Sequence, residues 1–123
     1  MKLARNSNPQ ILIVTASEPD AAFTAALADR GYRASSTEWT ESALQQACEE
    51  TFDLVLLDRD GSADDTMRWL NRIQEPRHPA GVIVTGTRPS PEEAIRFLRA
   101  GAFDLLIKPV PVERLLEVVE QAI

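Results

Sequence analysis

The sequence predicts an α/β domain in which five parallel strands, in the order 2-1-3-4-5, are covered by helices on both faces. Two observations support this prediction. Short apolar runs alternate with helix-forming segments along the whole chain, as β-α units with right-handed crossovers require. Several of these runs are apolar at every position, which is typical of strands buried on both faces of a parallel sheet, and they lie at 11–14, 54–57, 82–84 and 105–107.

The first half of the chain contains strand candidates at 11–14, 32–36 and 53–58. The second of them is the least apolar, so we expect it at or near an edge of the sheet. Ser17-Glu18-Pro19-Asp20 has the spacing of a capping box with a proline in the first turn, which predicts the start of the first helix. Thr40 is expected to cap the second helix.

The second half has its clearest signal at the start of the fourth helix. Ser90 can cap this helix, Pro91 fits its first position, and Glu93 can bond back to the cap. Ile95 and Leu98 then lie three apart on one helical face. The other elements predicted here are a third helix that ends before residue 76, strands at 82–84 and 105–107, and a fifth helix that begins at residue 111.

Composition and charge exclude several classes of function. A chain of 123 residues is long enough for one domain with its own core, which we place at 11–123 after an N-terminal tail at 1–10. The net charge of −6 argues against a basic surface for nucleic acid. No apolar run approaches the length of a membrane span, and no signal peptide is visible. We therefore expect a cytoplasmic domain that binds neither nucleic acid nor membrane.

Polar side chains close three of the predicted strands: Asp58, Thr85 and Lys108. The carboxyl ends of parallel strands meet at one edge of the sheet, where ligands bind in open α/β folds. A carboxylate, a hydroxyl and an ammonium together predict a phosphoryl site, with Asp58 as nucleophile and the other two holding the transferred oxygens. We also expect an ion pair between Asp58 and Lys108.

With these strand ends, the segments 11–14, 52–58, 82–86 and 99–109 resemble the receiver domain of two-component response regulators, which has a flavodoxin-like fold. The resemblance covers 11–123. It implies that Asp58 is the phosphoacceptor for a histidine kinase or phosphotransfer protein, that Mg²⁺ assists, and that Thr85 and Lys108 read the acyl phosphate. It also implies a signalling domain that is not an enzyme. Such a domain controls a partner or a following output domain through its helix 4–strand 5–helix 5 face, or forms a homodimer.

The chain departs from the family pattern at the metal site. The family has two adjacent acids after strand one, where this chain has Thr15 and Ala16. Asp58 and Asp60 remain as candidate metal ligands, so we expect weak Mg²⁺ binding. Leu105 also replaces the aromatic residue usual in strand five. These departures leave open an alternative function, a phosphorylation-independent pseudo-receiver that acts as a protein-interaction module.

A more remote alternative is an enzyme of the haloacid-dehalogenase type. The stretch 53–62 resembles the first motif of those phosphatases, with Asp58 as nucleophile and Asp60 as general acid. Two features weigh against it. That fold normally begins with the nucleophile's strand, whereas Asp58 lies in the third predicted strand, and the required acidic pair is missing after Lys108.

Overall fold

The computed structural model describes residues 8–59, 63–74 and 80–123. Within these residues strands and helices alternate: β1 (Gln10–Thr15), α1 (Ala21–Asp29), β2 (Arg33–Thr37), α2 (Glu41–Glu49), β3 (Leu54–Arg59), α3 (Ala63–Ile73), β4 (Gly81–Gly86), α4 (Pro91–Arg99), β5 (Asp104–Ile107) and α5 (Val112–Ala122). Residues 1–7 of the expected tail lie outside the described part. No helix in the described ranges is long and apolar enough to span a membrane.

The strands form one parallel sheet in the order β2-β1-β3-β4-β5, which confirms the predicted fold class. β2 is an edge strand, as its weak apolar character predicted. The register pairs Asp58 with Thr15 on one side and with Thr85 on the other. This pairing places the polar ends of β1, β3 and β4 side by side.

Helices cover both faces because side chains alternate across each strand. On β3, Val55 and Leu57 point to the face covered by α2, α3 and α4, where Trp69 and Phe97 are buried. Leu54 and Leu56, which alternate with them along β3, point to the other face, where α1 and α5 pack. The central residues of β1, β3 and β4 are apolar on both faces, so each face has its own core cluster and these strands are buried between them.

The predicted start of α1 at Ser17 is wrong. The helix begins at Ala21, and its N-cap is Asp20, whose Oδ1 accepts a hydrogen bond of 2.9 Å from the backbone N–H of Ala22. The backbone N–H of Ser17 instead donates to Thr15 Oγ1 at 3.2 Å. This local bond turns the chain directly after β1, so the helix starts three residues later than a cap at Ser17 requires.

The predicted start of α4 is confirmed in detail. Ser90 Oγ accepts from the backbone N–H of Glu93, and Glu93 Oε1 accepts from that of Ser90, both at 3.1 Å. Ile95 and Leu98 share a face as predicted, and this face is exposed. Phe97 on the inward side of α4 is fully buried instead.

Replacing Ser90 should measurably destabilise the domain. Ser90→Ala removes a side-chain acceptor from the first turn of α4 and leaves a backbone N–H without it. We expect a loss of about 1 kcal/mol in the free energy of unfolding, the usual value for an N-cap serine. Urea denaturation followed by circular dichroism measures it, with the exposed Ser35→Ala as control. Equal stability of the two variants would contradict the capping contribution.

Candidate functional site

Three residues from three segments meet at the carboxyl edge of the sheet. Thr85 Oγ1 donates a hydrogen bond of 2.9 Å to Asp58 Oδ1. Lys108 forms an ion pair with the same oxygen, as the sequence predicted. The Asp58 and Lys108 side chains are 19% and 28% exposed, so the pair is partly shielded from water and still open to a ligand.

The sheet register explains this meeting. Asp58 and Thr85 are paired neighbours on β3 and β4. Lys108 directly follows β5, and its backbone N–H donates to the carbonyl of Gly86 at 2.9 Å, which continues the pairing of β4 and β5 past the last strand residue. The peptide bond between Lys108 and Pro109 is cis.

Thr15 is a site residue that sequence reasoning treated only as a missing acid. It is buried, and its Oγ1 donates a hydrogen bond of 2.9 Å to Asp58 Oδ2. Both oxygens of the carboxylate therefore have protein donors. The available signal was that β1 ends at the same sheet edge as β3, so a hydroxyl at the end of β1 lies within reach of Asp58.

Trp39, in the loop between β2 and α2, was also missed. Its indole Nε1 donates to the backbone carbonyl of Asp58 at 3.3 Å. Its ring packs edge-on against Trp69 of α3, with ring centres 5.4 Å apart and planes at 67°. Trp39 therefore helps to hold the end of β3, a role that depends on a contact 19 residues away along the chain.

The described residues fit a Mg²⁺ ion, the metal that the resemblance implies, only weakly. Mg²⁺ requires hard oxygen ligands, usually one or two carboxylates. In the ranges that the structure describes, no three Asp, Glu, His or Cys side chains gather as a metal site. Thr15 takes an acid's position, and its hydroxyl donates a hydrogen bond to Asp58 Oδ2. Asp60, the other candidate ligand, lies outside the described residues.

A cavity of about 560 Å³ opens beside Asp58, between the strand ends, the segment before α1 and the segment before α5. Thr85 and Lys108 line it on the polar side, and Phe23 lines it on the apolar side. This space leaves Asp58 accessible to a small molecule. Glu18, which the sequence placed at the start of α1, also borders the cavity.

Comparisons with known proteins agree with this architecture. The chain is 34% identical over 93 residues to the transcriptional regulatory protein ZraR of Salmonella typhimurium, and this match covers 76% of this chain and 21% of ZraR. It is 37% identical over 86 residues to the response regulator protein PilR of Pseudomonas aeruginosa, covering 68% of this chain and 19% of PilR. The chain thus spans about a fifth of the length of these relatives.

Solved receiver structures superpose over nearly the whole chain. The beryllofluoride-activated NtrC4 receiver domain dimer matches with a TM-score of 0.79 and 27% identity, covering 92% of this chain and 94% of that one. A CheY-like receiver domain protein from Methanospirillum hungatei matches with a TM-score of 0.76 and 27% identity, covering 94% and 93%.

The family model of the response regulator receiver domain matches residues 11–120. Among the described residues, the strand that holds Asp58 is the third, whereas a haloacid-dehalogenase fold normally begins with the strand of its nucleophile. The order of the strands in this chain agrees with the fold that the resemblance implied, and polar residues end the strands as expected. The chain therefore belongs to the response regulator receiver domains of two-component signalling.

Proposed function

We propose that Asp58 accepts a phosphoryl group from a histidine kinase or phosphotransfer protein. The single observation that supports this function is the shared coordination of Asp58 Oδ1 by the Thr85 hydroxyl and the Lys108 ammonium. Oδ2 has one described hydrogen bond, from Thr15, and is the better placed nucleophile. It attacks phosphorus, the P–N bond of the phosphohistidine donor breaks, the imidazole leaves, and an acyl phosphate forms.

Thr85 and Lys108 then bind the oxygens of the transferred group. An ammonium near the phosphorus stabilises the negative charge that spreads over these oxygens during transfer. After transfer, Lys108 exchanges its carboxylate partner for a phosphoryl oxygen. The Thr85 hydroxyl binds the same phosphoryl oxygen. The end of β4 therefore responds when Asp58 on β3 is phosphorylated.

The phosphorylation is impaired or unusual in its dependence on Mg²⁺. The positions of the acidic pair hold Thr15 and Ala16, and neither supplies a carboxylate. A hydroxyl ligand gives a cation less electrostatic stabilisation than a carboxylate does. Weak metal binding lowers the rate of transfer at cellular Mg²⁺ concentrations relative to a receiver with intact acids.

Incubation with Mg²⁺ and acetyl phosphate, followed by intact mass spectrometry, tests the proposal. The wild-type chain should gain the mass of one phosphoryl group, and Asp58→Ala should gain none. Asp53→Ala is the matched control, because Asp53 lies just before β3 at the opposite edge of the sheet and should leave labelling unchanged. Labelling of Asp58→Ala, or the absence of labelling in the wild-type protein, would contradict the assignment of Asp58 as phosphoacceptor.

A pseudo-receiver that acts without phosphorylation is the second candidate. The observation that favours it is the hydrogen bonding of both Asp58 oxygens in the unphosphorylated protein. A carboxylate with donors on both oxygens and an ammonium beside it is already stable in its site. A folded, unlabelled wild-type protein that still binds its partner would support this function.

The output surface in either case lies on α4, β5 and α5. Four large apolar side chains are exposed on α4 and around β5, and we call them the apolar patch: Ile95, Leu98, Phe103 and Ile107. Because α4 and β5 are neighbouring elements, these side chains add apolar surface to the same part of the domain, and exposed apolar surface of this kind marks protein contacts. The partner is a following output domain, a separate protein, or a second copy of this chain.

A further inference from the structure

Arg59, the residue after Asp58, is 8% exposed although it is charged and ends a strand. Its side chain lies against α4. The guanidinium carbon is 5.3 Å from the centre of the Phe97 ring, and Nη1 is 3.7 Å from Glu93 Oε1. Glu93 and Phe97 are four residues apart, which places them one turn apart on the same face of α4. Two contacts therefore join the end of β3 to this helix.

The side chain of Arg59 reaches α4 by crossing the end of β4. Gly86 is its paired neighbour there. A Cβ at Gly86 would lie 3.1 Å from Arg59 Cγ, which is closer than an ordinary side-chain contact. The glycine thus leaves the space through which the side chain passes, and β4 accommodates Arg59 at a specific position.

The contact with Glu93 involves the start of α4 directly. Glu93 Oε1 accepts the backbone N–H of Ser90 in the capping box, and the same oxygen faces the Arg59 guanidinium. Any displacement of the guanidinium therefore changes the electrostatic environment of the first turn of α4. Phe97 lies further along the helix, next to Leu98 of the apolar patch.

We propose that Arg59 is a positioning residue that transmits the charge at position 58 to α4 and so to the apolar patch. Arg59 directly follows Asp58 on β3, and the two side chains point to opposite faces of the sheet. The charge at position 58 therefore acts on the guanidinium through the electric field at the end of the strand and not through direct contact. More negative charge at position 58 attracts the guanidinium away from Glu93 and the Phe97 ring. Less negative charge strengthens its contacts with α4.

The role of Arg59 in signalling rests on the proposed phosphorylation of Asp58, which adds negative charge at this position. The coupling itself requires only a change of charge. It can therefore be measured with an Asp58→Asn substitution and no phosphodonor, so a failure of phosphorylation and a failure of the coupling give separate results.

Hydrogen exchange of the α4 backbone amides, normalised to those of α1, tests the coupling in four proteins: the wild type, Asp58→Asn, Arg59→Met and the double variant. Methionine keeps an apolar stem beside Gly86 and removes the charge. Arg59→Met should speed α4 exchange by about tenfold, because the contacts of the guanidinium with Glu93 and with the Phe97 ring are lost. Asp58→Asn should slow α4 exchange by about threefold in the wild-type background and leave it unchanged in the Arg59→Met background.

Arg33→Met on the edge strand β2 is the matched control and should leave α4 exchange unchanged. Unchanged exchange in Arg59→Met, no effect of Asp58→Asn in the wild type, or an equal effect in both backgrounds would overturn the proposal. If Arg59→Met does not fold, Arg59→Lys replaces it. Lysine keeps the charge and loses the planar stacking on Phe97, so α4 should exchange faster while still responding to Asp58→Asn.

Discussion

Restoring two carboxylates after β1, by Thr15→Asp with Ala16→Asp, should raise the affinity for Mg²⁺ by at least about tenfold, which needs only about 1.4 kcal/mol. Two effects act together. The new acids add carboxylate oxygens beside Asp58, the hard ligands that Mg²⁺ prefers. The substitution also removes the Thr15 hydroxyl from Asp58 Oδ2, so that this oxygen becomes available to a cation.

The same variant should be less stable without metal. Two carboxylates next to Asp58 repel one another and add to the negative charge that Lys108 must balance. Calorimetric titration of Mg²⁺ into the wild type and the variant measures the affinity, and thermal unfolding with and without Mg²⁺ measures the linked stability.

Ala25→Asp with Ala28→Asp is the control for added charge alone, because both positions are exposed on α1 away from the site. This control should bind Mg²⁺ as weakly as the wild type does. Unchanged affinity in the restored variant would show that Asp60 or Glu18 already completes a metal site in the wild-type protein.

Removal of Lys108 should destabilise the domain by an intermediate amount, about 1–3 kcal/mol in the free energy of unfolding. Removing one partner of a fully buried ion pair lowers the free energy of unfolding by more than this, and removing one partner of an exposed pair lowers it by less. The exposures of 28% for Lys108 and 19% for Asp58 place this pair between the two limits. Lys108→Ala leaves the Asp58 carboxylate with the two threonine donors but without a neighbouring cation in that contact.

A double-mutant cycle with Asp58→Ala isolates the interaction between the two side chains. The double variant should be more stable than the sum of the two single losses predicts, since removing Asp58 relieves the uncompensated charge. The exposed pair of Arg30 and Glu120, at 45% and 54%, provides a comparison, and its coupling should stay under about 1 kcal/mol. Additive losses at Asp58 and Lys108 would mean that the ion pair contributes nothing to stability.

Local sequence signals were sufficient wherever the deciding interactions are close along the chain. The start of α4 depends on bonds between Ser90 and Glu93, three residues apart, and the sequence predicted it correctly. The central strands β1, β3 and β4 were also predictable, because a run of apolar residues is stable only between two covered faces. Parallel strand ends share one edge, so the proximity of Asp58, Thr85 and Lys108 followed from the same reasoning.

The start of α1 shows where the local signal was insufficient. Ser17 and Asp20 have the spacing of a capping box, in which Ser17 would be the N-cap and Asp20 the residue that bonds back to it. Both residues are good N-caps, so composition could not choose between them. The choice was made by the Thr15 hydroxyl, which binds the Ser17 backbone and ends β1 in a turn.

Thus the sequence by itself determined the class of fold, the order of elements and the edge at which the polar strand ends meet. Only the tertiary structure decided that Thr15 bonds to Asp58, that Trp39 holds the carbonyl of Asp58, and that Arg59 is buried against α4. The physical reason is that each of these contacts joins residues far apart in sequence. Their geometry depends on strand register and on the side chains of the facing element, which no local pattern encodes.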